Sequence, residues 1–346
     1  MSRATANARK SWRGVVACVA ALVLAGCGTT AVVIKPHITG TPSLSISVPL
    51  QSVACTGSGS CVAAGADGSH VAPSFVGEVR RANGLWTALR LPNTPVITIS
   101  SAACWNNQCL VGGTQPSGDA LWLVGPSTQS VSVSPTPHAG RGVSAVSCFA
   151  PSSCAMVDTT GITGGSRLSF TSNGGATWTT PLPMTWTVGQ SVTALSCTDT
   201  LNCLVATTNP GRQALLEVTH DAGTTWTVRP VPTTWTTLTS LTCSHLQCVG
   251  LVSTTSGSLV VRTTTFARLW KSASLANQAN ALACTKLSRC VLVGQTAAKS
   301  PWLATLKGLR VSNIALRYVP SPLTDAACGV KICAAVGVST VLSLHP

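Results

Sequence analysis

The chain has 346 residues, 45% of them apolar and only 9% charged, with 22 Lys plus Arg against 8 Asp plus Glu, a formal net charge of +14. A surface so poor in charge must be covered mostly by Thr, Ser, Gly and Asn, which suits an exposed envelope protein. The excess of bases favours anionic surfaces such as lipid headgroups or polyanionic wall polymers. The bases are scattered along the chain, Arg80-Arg81 being the densest cluster after the N-terminal segment, and this spread argues against a nucleic-acid patch.

Residues 1–14 carry Arg3, Arg9, Lys10 and Arg13 and no acid. The apolar stretch that follows, residues 15–25, is too short to span a bilayer as a stable helix and reads as the core of a secretory signal. It ends in Leu24-Ala25-Gly26-Cys27, which resembles a bacterial lipobox. The resemblance implies cleavage before Cys27 and a diacylglyceryl thioether on its sulfur; an ordinary signal peptide with Cys27 as a bystander is the alternative. The expected layout is a lipoprotein signal peptide at 1–26, a lipid-anchored tether at 27–42 and a folded domain at 43–346. The protein is then expected to be exported and held on the extracytoplasmic face of a bacterial membrane, as a monomer.

Beyond Cys27 the cysteines come in seven close pairs: Cys55/Cys61, Cys104/Cys109, Cys148/Cys154, Cys197/Cys203, Cys243/Cys248, Cys284/Cys290 and Cys328/Cys333. Cys18 would leave with the signal, so every remaining cysteine of the exported domain has a partner. Even, close pairing in an exported chain predicts disulfides, each stapling a hairpin across its turn. A zinc site would need four ligands around one ion, but each pair lies in its own repeat and only Cys243/Cys248 encloses a histidine, His245. No metal and no cofactor are expected.

Each pair has the same frame: an apolar run into the first cysteine, a polar turn, and a second cysteine opening another apolar run. First cysteines recur every 41 to 49 residues, a period that signals a propeller or another repeat array. In the repeat from Val192, VTALSC, CLVATT, ALLEVT and WTVRPVP read as four short strands separated by turns, the content of one blade. The predicted fold is all-β: a seven-bladed β-propeller of four-stranded antiparallel blades with one disulfide per blade. After Cys333 there is room for only two further strands, so the β-like run at residues 43–49 is expected to supply the missing strand and close the ring.

Two repeats carry Thr171-Ser172-Asn173-Gly174-Gly175-Ala176-Thr177-Trp178 and Thr219-His220-Asp221-Ala222-Gly223-Thr224-Thr225-Trp226. Both resemble the Asp-box, S/T-x-D-x-G-x-T-W, of BNR-repeat propellers, which include sialidases, sortilin-type receptors and the Ycf48/Hcf136-like photosystem II assembly factors. The second copy matches every fixed position, the first has Asn173 for Asp, and Arg268-Leu269-Trp270 is a remnant. The resemblance implies a turn between the third and fourth strands, with Asp221, Trp178 and Trp226 structural. The Ycf48/Hcf136-like group is also exported, propeller-shaped and non-enzymatic.

A sialidase-like activity would require, by that resemblance, an arginine triad, a Tyr with a Glu partner and an acid/base Asp. Tyr318 is the only tyrosine, Glu78 and Glu217 are the only glutamates, and no two acids lie closer than four residues. The reading is therefore a non-catalytic, lipid-anchored module that binds or assembles a protein or anionic wall polymer. Its alternatives are a glycan-processing hydrolase of sialidase-like ancestry and a purely structural envelope component. The candidate binding face is built from loops opposite the disulfide turns, carrying His70, Arg212, His138, Arg141, Trp186 and Trp235. Asp67, Asp119, Asp158 and Lys299 share those loops, and the two tryptophans are placed to stack on a ligand or to pack between blades.

Overall fold

Short runs of Val, Ala, Leu and Thr broken by turn residues produce strands, and among the described residues every regular element is a β-strand. The computed structural model describes residues 49–66, 75–80, 86–90, 96–137, 140, 142–159, 165–184, 189–316, 319–338 and 340–344. Residues 36–346 form one compact unit. Cys27 and the tether lie outside the described residues.

Six sheets have four strands each, paired in chain order: blade 1 over residues 50–90, blade 2 over 98–133, blade 3 over 143–183, blade 4 over 191–229, blade 5 over 235–274 and blade 6 over 278–314. A last sheet, over residues 323–344, has three strands. The fold is an all-β propeller with six four-stranded blades, which corrects the expected seven. Of the closing strand expected at 43–49, residues 43–48 lie outside the described residues, and Pro49 makes an isolated antiparallel bridge to Val338.

The sheets stand around an axis with their first strands innermost. Both faces of each sheet pack against neighbours, so the second strands are apolar without alternation: Cys61–Ala66 and Cys203–Thr208 are buried almost throughout. One apolar cluster fills each gap. Leu204 and Leu216 of blade 4 meet Leu238 and Leu241 of blade 5, and Leu50 and Val53 of blade 1 meet Ala334 and Val336 of the three-stranded sheet, closing the circle.

The innermost strands pair with their own second strands but not with each other, so their channel-side edges need other partners. Side chains supply them. The residue four before the first cysteine is polar in every repeat, and at five of these positions it bonds the next sheet's backbone. Gln51 Oε1 accepts from Ile99 N (2.8 Å), Ser100 Oγ donates to Val143 O, and Thr193 Oγ1 donates to Leu238 O (2.8 Å). Asn280 Nδ2 donates to Leu323 O (2.8 Å) and Thr324 Oγ1 to Leu50 O (3.2 Å). Nearby serines cover the other gaps: Ser147 Oγ accepts from Cys197 N (3.1 Å) and Ser240 Oγ from Leu282 N (3.2 Å). Asp325 Oδ2 accepts from Val53 N (2.9 Å), a second stitch where the last sheet meets the first.

The disulfides close the turns between first and second strands. They join Cys55 to Cys61, Cys104 to Cys109, Cys148 to Cys154, Cys197 to Cys203, Cys243 to Cys248, Cys284 to Cys290 and Cys328 to Cys333. In each case the two cysteines are directly paired in the ladder. One point of the sequence reading is corrected here. The bridges are not one per four-stranded blade: six lie in blades, and Cys328–Cys333 lies in the three-stranded sheet. They staple the hairpin turns as expected, and the second cysteine of each pair also lies at the start of a strand that is sandwiched between sheets and is itself core. Cys109 packs with Val62 and Trp122, Cys154 with Trp105 and Leu110, and Cys290 with Val249 and Leu251, all three buried. Cys61, Cys203, Cys248 and Cys333 are buried in the same way.

Closing so short a loop contributes about 2 kcal/mol in the chain-entropy account. The double change Cys243→Ala/Cys248→Ala should therefore lower unfolding stability by at least about 2 kcal/mol without changing the circular-dichroism spectrum. Unchanged stability in denaturant titration would show that the turn is held by its ladder alone.

Candidate functional site

Of the six residues named from the sequence as a binding face, the structure describes Arg212 and Trp235. His70, His138, Arg141, Trp186 and Asp67 lie outside the described residues. Trp235 is corrected outright as a face residue: it begins the innermost strand of blade 5 and is 2% exposed. Strand alternation turns it into the gap between blades 4 and 5, where its ring meets Trp270 edge-on, with centroids 5.7 Å apart. Arg212 is exposed in a tight turn, with Arg212 N donating to Asn209 O (2.9 Å) and φ at 56°. Lys299 occupies the matching place in blade 6, with φ at 60°. Between blades 4 and 5 on this side, a hollow of about 1110 Å³ is lined by hydroxyl side chains such as Thr208, Thr236 and Thr237, beside Arg212.

The two Asp-box-like segments form turns of one geometry between third and fourth strands. Thr219 Oγ1 donates to Asp221 Oδ1 (2.8 Å) and accepts from Gly223 N (2.8 Å), while Asp221 takes Thr225 Oγ1 (2.6 Å) and Thr225 N (2.8 Å). Thr225, through its hydroxyl first and then its amide, holds the Asp221 carboxyl below the usual range. In blade 3, Asn173 Oδ1 replaces the carboxylate, accepting from Thr177 N and Thr171 Oγ1 (both 2.9 Å). Gly223 and Gly175 sit at φ 89° and 88°, the left-handed region that a side chain disfavours. Blade 5 repeats the turn with Thr265 as acceptor for Leu269 N (3.0 Å). Trp178, Trp226 and Trp270 then pack in the gaps.

Two acids far apart in sequence come together between blades 2 and 3. Asp119 accepts from Gly140 N (2.8 Å) and Gly142 N (2.6 Å). Asp158 is fully buried; burial first, and the Asp119 charge second, push its carboxyl up to about 7 against the pull of Arg167. Asp325 lies on the wall of the axial channel, a cavity of about 800 Å³ lined mainly by hydroxyl and apolar side chains, with His245, Phe149 and the first cysteine of each disulfide also on its wall. Burial raises it to about 6 despite the amides of Val53 and Ala326.

The largest concentration of charge is on the opposite rim, formed by the disulfide turns and the turns between third and fourth strands. In blade 6 the register aligns Lys286↔Arg289, Arg289↔Lys307 and Lys307↔Arg310, one base from each of four strands in a single row. In blade 5, Arg262 pairs with Lys271, and Arg268 lies in the adjoining turn. Lys331 follows in the disulfide turn of the three-stranded sheet. Arg262, Lys286 and His245 line a groove of about 470 Å³ between blades 5 and 6. Like charges directly opposite one another are destabilising, and here four stand in file. The sequence carried a signal for this: no acid occurs between Asp221 and Asp325, while ten Lys and Arg do. The apparent scatter concealed it, because antiparallel register brings positions 286, 289, 307 and 310 to one level.

No family model matches the chain, and no curated protein does. The likeness is in structure alone. A structure titled "YCF48 bound to D1 peptide" superposes with TM-score 0.64 at 13% identity, covering 89% of this chain and 96% of that one. A catalytically inactive virginiamycin B lyase from Staphylococcus aureus, in a structure with quinupristin, gives 0.64 at 9% identity over 90% of this chain and 100% of that one. The GH74 xyloglucanase of Xanthomonas campestris gives 0.63 at 11% identity over 88% of this chain and 53% of that one. At such identities the likeness establishes the propeller fold, and the neighbours include enzymes and a peptide-bound protein.

Asp158 and Asp325 both have folded-state values raised above the ordinary 3.8, to about 7 and about 6. Between pH 4 and 7 the folded chain therefore holds more protons than the unfolded one, and stability falls as pH rises through that window. Melting temperature should decline from pH 4.5 to 7.5, and Asp158→Asn should flatten the decline. A melting temperature that rose across this range, equally in both proteins, would contradict the assignment.

Proposed function

We propose that this protein is a non-catalytic docking module that holds an anionic partner on the rim of blades 5 and 6. One observation carries the reading: the file Lys286, Arg289, Lys307 and Arg310, with no acid on the same rim of blades 5 and 6 among the described residues. Repulsion within such a row weakens the folded chain, and a binding role accounts for its presence. Support comes also from the rigid ring that displays it, and from a propeller of similar fold bound to a peptide. Export and lipid attachment through Cys27 are part of the proposal; they would put the module at the outer surface of a bacterial membrane, where wall polymers and membrane proteins supply anionic partners. The segments at 171–178 and 219–226 are taken as Asp-box turns with a structural role.

Among the described residues, Asp119 and Asp158 are the carboxylates whose charges interact, the pair a glycan-hydrolase reading would turn to. Asp158 is 0% exposed and Asp119 is committed to two backbone amides, so no substrate reaches them in this structure.

The test uses Arg289→Glu, which places an acid between Lys286 and Lys307. It should raise stability by about 0.2–1 kcal/mol and markedly weaken salt-sensitive retention on immobilised polyphosphate. Arg212→Glu/Lys299→Glu on the other rim removes more charge and should leave retention close to wild type. Equal losses in the two proteins would mean that net charge alone governs binding, and the assignment to this rim would fall.

A further inference from the structure

The basic rim also carries exposed aliphatic side chains, each at a turn. Leu246, in the disulfide turn of blade 5, is 61% exposed, and Leu269, in the turn before that blade's outer strand, is 74% exposed. Val330 (72%) and Leu201 (52%) occupy the disulfide turns of the three-stranded sheet and of blade 4. Four of the seven large hydrophobics exposed on the described surface therefore sit on this one end of the ring. The turns of Leu246 and Leu269 are joined by the bond from Phe266 N to Leu246 O (2.8 Å), while Val330 and Leu201 belong to other sheets. Leu246 and Leu269 share the rim of blades 5 and 6 with Arg262, Arg268, Lys271 and Lys286, whereas Leu201 shares its blade's rim with Asp199 and Asp221.

The geometry points to an anionic lipid bilayer as the partner of this rim: Leu246 and Leu269 enter the acyl boundary while the bases of blades 5 and 6 lie among the headgroup phosphates. This deepens the anionic-partner reading and rests on it. A protein partner needs a contiguous, shape-matched surface. Aliphatic tips carried by turns of three different sheets and interleaved with bases offer little apolar area to match, whereas a fluid bilayer yields around each tip. Long Lys and Arg side chains keep their charge at headgroup level while their stems lie along apolar surface. Attraction to anionic lipid and burial of apolar area add in such binding. The rim offers both, on one side of a rigid body.

Residues 36–346, the compact unit, are tested without any lipid anchor, with folding of each variant checked by circular dichroism and melting. Co-sedimentation with vesicles of phosphatidylglycerol and phosphatidylcholine should show binding that salt weakens and that pure phosphatidylcholine vesicles do not support. Leu246→Ser/Leu269→Ser should reduce vesicle affinity tenfold or more and leave polyphosphate retention unchanged, while Arg289→Glu should reduce both. Vesicle binding unaffected by the leucine changes overturns the insertion. Retention on polyphosphate with no binding to anionic vesicles overturns the bilayer and leaves the docking rim standing. Binding to neither probe overturns both.

Discussion

The innermost strands depend on side chains that reach across each gap to the next sheet's backbone. Neighbouring sheets in a propeller share no ladder, so apolar packing would hold them together without fixing their relative height. Gln51, Ser100, Thr193, Asn280 and Thr324 fix it, each by a bond to the adjoining sheet. Such bonds are worth about 1 kcal/mol each, and leaving a buried backbone group unpaired costs more. They also explain why the channel wall is polar: its hydroxyls and amides belong to the seam. The disulfides then act locally, closing the turn at the end of each stitched strand.

A scaffold held this way frees its outer turns to vary. The ladder at one rim carries the Asp221 and Asn173 turns in blades 4 and 3, where self-contained hydrogen bonds satisfy the loop. In blades 5 and 6 the same rim carries bases and bare leucines. Arg289 faces Lys286 on one side and Lys307 on the other, an arrangement that packing does not require. Local instability tolerated on a strongly held ring is what a binding surface needs.

Much of this was readable from the chain. The cysteine frame located every hairpin, because a close pair flanking a polar turn has few conformations. The Asp-box-like segments fell in the turns expected of them, since their hydrogen bonds are local. What misled was anything that depended on register, packing or closure. Trp235 reads as a loop residue, yet alternation from the strand start buries it against Trp270. Cys109, Cys154 and Cys290 staple their turns as the pattern indicated, and that they are also core depends on the sheets on either side. The basic file needed the ladder of blade 6, and the Asp119–Asp158 contact needed two blades placed side by side.

The seam can be measured directly by amide hydrogen exchange. The amides of Val53, Ile99, Val146, Cys197, Cys243 and Leu282 face neighbouring sheets and are bonded only by side chains from them. They are predicted to exchange as slowly as the amides of the second strands and to open with the whole ring. Rapid exchange at these six positions, with the second strands still protected, would show that the sheets are held by packing alone and would contradict the account.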